Sequence, residues 1–196
     1  ASVLLVTMLS LPVVVYSYEP DDISCRDVTW VSKGGDASSD QDCAITLVSV
    51  PQRGAEVQSE QHFLYANLVF QAHSKATWPV DTSVGFETWE GSSHWAVVVT
   101  NGHLGILNGT TPGLTDTERA EHEWYEPIAN WQSTQDQMNT FRLVWESDKV
   151  ELYVNGNLAA EYKGMLIPHI PMRIRLNASN DFEDEVKVDN VTSITP

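Results

Sequence analysis

FRLVWESDKVELYVNGNLAAEY, residues 141–162, is the stretch that decides the fold class. Phe141, Leu143 and Trp145 alternate with Arg142, Val144 and Glu146, and Val150, Leu152 and Val154 alternate with Glu151 and Tyr153. Successive side chains of a strand point to opposite faces, so a period of two reads as strand. Asn155-Gly156 suits the left-handed backbone of a two-residue hairpin turn, and Leu158–Tyr162 returns as a further strand. Downstream, residues 171–177 repeat the pattern, with Met172, Ile174 and Leu176 inward and Arg173 and Arg175 outward. An acidic turn over 181–185 then leads into a closing strand over 186–194.

Upstream the same reading gives strands over 45–50 and 55–59, separated by a Pro51–Gly54 turn, and one long strand over 61–74. That long strand is expected to carry Phe63, Tyr65 and Val69 on one face and Leu64, Leu68 and Phe70 on the other. Strands over 83–89 and 95–100 follow, and Asn101-Gly102 turns the chain into 104–107. Residues 19–42 read as loop with short extended pieces. Residues 110–137, with Pro112, Gly113, Pro127 and an acidic run through Asp116, Glu118, Glu121 and Glu123, read as a long excursion with one helical turn. About ten or more short strands and no long segment of helical period make the chain an all-β sandwich or barrel.

The first eighteen residues, ASVLLVTMLSLPVVVYSY, carry no charge. Pro12 interrupts a helix, and the run falls short of the ~20 apolar residues of a membrane span. The valines favour strand, and the near-absence of polar positions implies burial on both faces. The chain opens on Ala1 without a basic stretch, which reads as a start already processed. The leading expectation is therefore two units: a donor arm over 1–18 and a sandwich over 19–196. The arm's Val3, Leu4, Leu5, Val6, Leu9, Val13, Val14 and Val15 would complete the sheet of a neighbouring subunit. An unusually apolar first strand of the chain's own sheet is the equal alternative, and a retained signal or anchor is the third.

The chain has 27 acidic and 11 basic residues, a net charge of −16, which disfavours nucleic acid and anionic membrane surfaces as partners. Its two cysteines, Cys25 and Cys43, enclose a polar, Gly/Ser-rich loop, and one disulfide there would stabilise by ~3 kcal/mol in the chain-entropy view. Two free buried thiols are the alternative. Sequons at Asn108, Asn177 and Asn190 point to an extracellular or cell-surface glycoprotein. Asn108 sits in the turn-like NGTTPG, and Asn177 shares the outward parity of the two arginines. The six histidines, Glu121-His122-Glu123 included, show no metal-ligand spacing.

Four segments carry a resemblance: RGAEVQSEQHFLYANLVFQAHSK (Arg53–Lys75), the hairpin Phe141–Tyr162, IPMRIRLN (Ile170–Asn177) and VKVDNV (Val186–Val191). In this order they resemble the concanavalin A-like jelly rolls, particularly the laminarinase-type family 16 glycoside hydrolases, over roughly residues 45–194. The resemblance implies a jelly-roll β-sandwich with a concave cleft. It also implies a catalytic strand Glu-x-Asp-x-Glu, whose alternate residues share a face and set nucleophile and acid ~5–5.5 Å apart. This chain has GFETWEG where that strand belongs. Glu87 and Glu90 are the only catalytic candidates there, and at a spacing of three they face opposite ways. Asp181, Glu183 and Glu185 have the spacing but lie near the C-terminus.

Seven tryptophans are many for this length, and flat aromatic faces stack on sugar rings. Trp78, Trp89, Trp95, Trp124 and Trp131 fall in or near the cleft region that the resemblance implies. Trp89, Trp124 and Trp131 are the carbohydrate-binding candidates, whereas Trp95 and Trp145 are core candidates. The resemblance further implies a structural calcium held by Asp189, with Glu19 or Asp21 contributing. Taken together, the sequence points first to a non-catalytic extracellular protein that polymerises into a filament by arm donation. The alternative is a carbohydrate-binding, lectin-like module or a divergent β-glucanase, with polysaccharide as partner.

Overall fold

The computed structural model describes residues 21–22, 28–34, 36–39, 45–48, 55–74, 83–100, 102–129, 139–178 and 185–191. The arm over 1–18, its boundary with the sandwich, Glu19, Cys25, Cys43, Trp78 and Trp131 lie outside these residues, as do the side chains of Asp189 and Asn190.

The described strands form two sheets, and the fold is the jelly-roll sandwich. One sheet runs β13 (Asn157–Tyr162), β12 (Val150–Val154), β11 (Asn139–Trp145), β6 (Ala66–Ser74), β15 (Glu185–Val191), β4 (Ile45–Val48), β3 (Asp36–Ser39), with β1 (Asp21–Asp22) also on β6. The other runs β10 (Glu123–Pro127), β9 (His103–Thr110), β8 (Ser93–Thr100), β7 (Ser83–Glu90), β14 (Arg173–Ala178), β5 (Ala55–Ser59), β2 (Trp30–Gly34). Apart from β1 on β6, every pairing is antiparallel. Among the described residues no helix is long and apolar enough to cross a membrane.

The hairpin 141–162 forms as its alternation requires. Val154 pairs with Asn157, which leaves Asn155-Gly156 as the two-residue turn, with φ of 51° and 81°. Phe141, Leu143 and Trp145 enter the core; Phe141 stacks on Phe70 at 4.9 Å, and the buried Trp145 donates its indole N–H to Pro168 O at 3.2 Å. From the opposite sheet Phe86, Ile106 and Ile174 close over them, fully buried.

Two expectations are corrected. The single strand over 61–74 is two pieces of different sheets. Phe63 bridges to Met172, beside β14, whereas β6 starts only at Ala66 in the other sheet. Tyr65 makes the crossing with φ of 60°, its ring edge-on to Trp145 at 5.4 Å and its hydroxyl 2.6 Å from His169 Nδ1. The excursion 110–137 also contains more structure than one turn. Besides the short helix α1 (Asp116–Ala120), capped reciprocally by Thr115 and Glu118, it holds the edge strand β10.

Candidate functional site: the outer face of the seven-stranded sheet

Strand alternation sends Val84, Phe86, Val97, Val99, Leu104 and Ile106 into the core and their neighbours outward. Register then lines the outward residues up in rows across the sheet. One row runs Arg173, Glu87, Ala96, Leu107, Glu123; the next runs Gln58, Arg175, Gly85, Val98, Gly105, Tyr125. The middle of both rows is small or aliphatic, and Ala96, Val98 and Leu107 are buried there as a second apolar cluster. Small residues flanked by long ones make a groove. Tyr125 stands on one side of it, packed on Gly105, where an added Cβ would come within 2.8 Å of the ring. On the other side lies a cavity of about 290 Å3 lined by Glu56, Gln58, His62, Glu87, Thr88, Trp89, Arg173 and Arg175.

Glu87 is the buried charge of this face, 5% exposed. Its Oε1 accepts from Ser83 Oγ at 2.9 Å; its Oε2 accepts from Arg175 Nη1 at 2.7 Å and lies 3.2 Å from His94 Nε2. Ser83, Gly85 and Glu87 share a face, so the Ser83 bond passes over Gly85. A Cβ at Gly85 would collide with the Val97 carbonyl oxygen and lie 2.8 Å from Val98 Cα. Burial pushes the Glu87 carboxyl up, but His94 and Arg175 prevail and hold it below its ordinary value. Arg175 also donates from Nη2 to Glu56 at 2.7 Å, and these two carboxylates keep its guanidinium charged against burial. Its Nε is buried without a partner among the described residues.

Trp89 lies on the same face as Glu87 and is 52% exposed. It pairs across the hairpin with His94, and the two rings stack at 4.0 Å, 5° from parallel. His94 therefore supports Trp89 through its ring and Glu87 through Nε2. Glu90, opposite Ser93 at the hairpin end, is exposed and on the other parity. The structure does not bring Glu87 and Glu90 together.

Trp124 is set apart from Trp89. It pairs with the core residue Ile106, packs on the core and lies 4.5 Å from Tyr162. Tyr125, its neighbour, is the aromatic of β10 that faces the groove, and burial together with Glu123 and Glu87 raises its phenol pKa. Trp95 packs half-buried against the core and Trp145 is fully buried. Asn108 belongs to strand β9 and not to a turn, with its backbone N–H bonded to His122 O at 2.8 Å. Asn177 lies on β14 between Glu56 and Ser83, at the groove's edge. Among the described residues there is no cluster of three or more potential metal ligands; the calcium expectation falls on side chains outside them.

Sequence reasoning missed His94, Glu56, Arg175 and Tyr125 as members of one site. The outward parity of Arg173 and Arg175 was readable; the strand they would face was not.

No protein-family model matches the chain, and no curated protein matches it in sequence. Solved structures do match in fold. The Crh5 transglycosylase in complex with NAG superposes with a TM-score of 0.55 at 14% identity, over 84% of this chain and 80% of that one. A prokaryotic β-1,3-1,4-glucanase (lichenase) from a mouse hindgut metagenome gives 0.54 at 14% identity, over 87% and 94%. The carbohydrate recognition domain of Emp46p, in a metal-free form, gives 0.55 at 10% identity, over 81% and 84%. The fold is thus the concanavalin A-like jelly roll that glucanases, transglycosylases and lectin domains share.

Proposed function

We propose that this chain is a carbohydrate-binding jelly roll whose outer groove takes a saccharide against Trp89. One observation carries the reading: a half-exposed indole held flat by His94 at the rim of a polar cavity. A sugar offers an apolar ring face and a hydroxyl edge. Trp89 matches the first by stacking, while Gln58, Glu56, Thr88 and the arginines match the second. The names of the structural neighbours, a complex with NAG and a carbohydrate recognition domain, lend support from proteins of the same fold.

Binding is favoured over hydrolysis by the state of Glu87. A glycosidase sets two carboxyl groups about the scissile bond, whereas Glu87 is 5% exposed and ion-paired to Arg175 and Glu90 lies on the other parity. A glycan panel read by affinity electrophoresis or calorimetry tests the proposal. Trp89→Ala is expected to weaken binding about tenfold, the scale of one aromatic stacking contact. A wild-type protein that binds no glycan overturns it. Release of reducing sugar from a β-glucan, abolished by Glu87→Gln, would instead establish the divergent glucanase.

Extracellular location and glycans at Asn108 and Asn177 belong to the same proposal, and a mobility shift on enzymatic deglycosylation of native material tests them. Filament assembly rests on residues 1–18 alone. Polymers that persist after deletion of that segment would end the idea.

A further inference from the structure

Most described cations of this chain have a carboxylate. Arg119 faces Glu123, Lys149 lies between Glu146 and Glu151, Lys163 bonds Glu161, and Arg175 bridges Glu56 and Glu87. Arg142 lies over the ring of Tyr153. Lys33 on β2 and Arg173 on β14 differ: among the described residues neither has an acidic partner.

Both cations converge on one neutral atom. With the Gln58 amide turned so that its oxygen meets donors, that oxygen accepts from Arg173 Nη1 at 2.7 Å and from Lys33 Nζ at 3.2 Å. Arg173 Nε donates to His62 Nε2 at 3.0 Å. Accepting there requires a neutral imidazole, and burial together with the Arg173 charge lowers the His62 pKa accordingly. The guanidinium is thus fixed in place by two neutral acceptors, through Nε and Nη1. Two like charges held together without a counter-ion among the described residues are an unmet electrostatic demand, in a chain with more than twice as many acids as bases.

We infer that the saccharide taken by this groove is acidic, with its carboxylate or sulfate seated between Arg173 and Lys33 while a neighbouring ring stacks on Trp89. The inference rests on the carbohydrate reading above. Arg173 pairs with Glu87, and Trp89 lies two residues further along β7 on the same face, roughly 7 Å of strand. Gln58, on which the two cations converge, lines the same cavity as Arg173 and Trp89, so anion seat and stacking platform open onto one space. The planar fork of a guanidinium suits either anionic group. The overall charge of −16 does not forbid an anionic ligand, because at physiological salt charges beyond about 8 Å are screened and the local cations decide.

Calorimetry at physiological salt with three oligosaccharides of equal length tests the inference: a neutral β-glucan oligomer, its uronate counterpart and its sulfated counterpart. At least one acidic oligomer is expected to bind about tenfold more tightly than the neutral one, as a charge-assisted contact provides. The uronate and sulfate arms identify the anion. Arg173→Gln and Lys33→Gln, each verified to melt as the parent does, are expected to lower the acidic-to-neutral affinity ratio severalfold. Neutral binding equal to or tighter than both acidic ligands overturns the inference and leaves the carbohydrate reading intact. A preference for acid that survives both substitutions also overturns it, since the anion is then held elsewhere. If none of the three binds, both readings fall.

Discussion

The Glu87–Ser83 bond spans Gly85, a position where β8 leaves no room for a side chain. Gly85→Ala would drive a methyl group into the backbone of β8, where no side chain can give way. The expected cost is about 2 kcal/mol or more in a chemical denaturation curve, with glycan binding lost as Glu87 shifts. Glu87→Gln tests the charge itself. It leaves Arg175 with one carboxylate instead of two in a half-buried setting, so the expected cost at neutral pH is about 1–2 kcal/mol, below the ~3 kcal/mol of a buried charge left with no partner. The pH dependence follows from sign. A carboxyl held below its unfolded value of 4.5 stabilises fully above that pH, and this contribution disappears as pH falls through the lower folded value. Between pH 6 and pH 3 the melting temperature of the parent is therefore expected to fall more steeply than that of Glu87→Gln. Parallel profiles would mean that the Glu87 carboxyl titrates alike in the folded and unfolded chain, and a shallower fall in the parent would mean that burial outweighs His94 and Arg175.

At the level of elements, the hairpin 141–162 was legible because local chemistry and long-range packing agree there. Its period of two selects the core residues, and Asn155-Gly156 has the φ values its sequence implies. Gly156→Ala is expected to cost about 1 kcal/mol by placing a Cβ at φ of 81°, measured as a lower denaturation midpoint at unchanged slope. Where the reading failed, partners far along the chain decide the structure. Phe63 and Tyr65 alternate as strand residues do, yet Trp145 and His169 hold Tyr65 in a left-handed turn that moves the chain from one sheet to the other. Strand β10 was concealed by Pro127 and by acidic residues on either side of Trp124-Tyr125. An edge strand tolerates both, because it bonds on one side only and benefits from charges that discourage further pairing. The groove was hidden for the same reason as the sheet crossing. Glu87 and Arg175 meet across a register between strands 88 residues apart, which no local pattern encodes. Outward parity supplied Arg175, but only the pairing supplied its carboxylates.

Over the whole molecule, acidic residues outnumber basic ones by sixteen, so pairing each basic residue once still leaves all of that excess charge to repel itself. Exposed pairs such as Lys163 with Glu161 and Lys149 with Glu146 contribute little, since solvent screens them. Added salt weakens such pairs slightly, but it weakens the summed repulsion more, because repulsion acts over distances that a Debye length of about 8 Å cuts off. Buried Arg175 and Glu87 are screened least, so the groove keeps its architecture while the surface relaxes. Raising sodium chloride from about 0.01 M, where the Debye length is roughly 30 Å, towards 0.5 M at pH 7 is therefore expected to raise the melting temperature. A gain of about 1 kcal/mol would appear as roughly 2–4 °C for a chain of this size. Sodium sulfate adds a surface-exclusion effect of its own, so the chloride series isolates screening. A melting temperature that falls as chloride rises would mean that attractive pairs outweigh the excess negative charge.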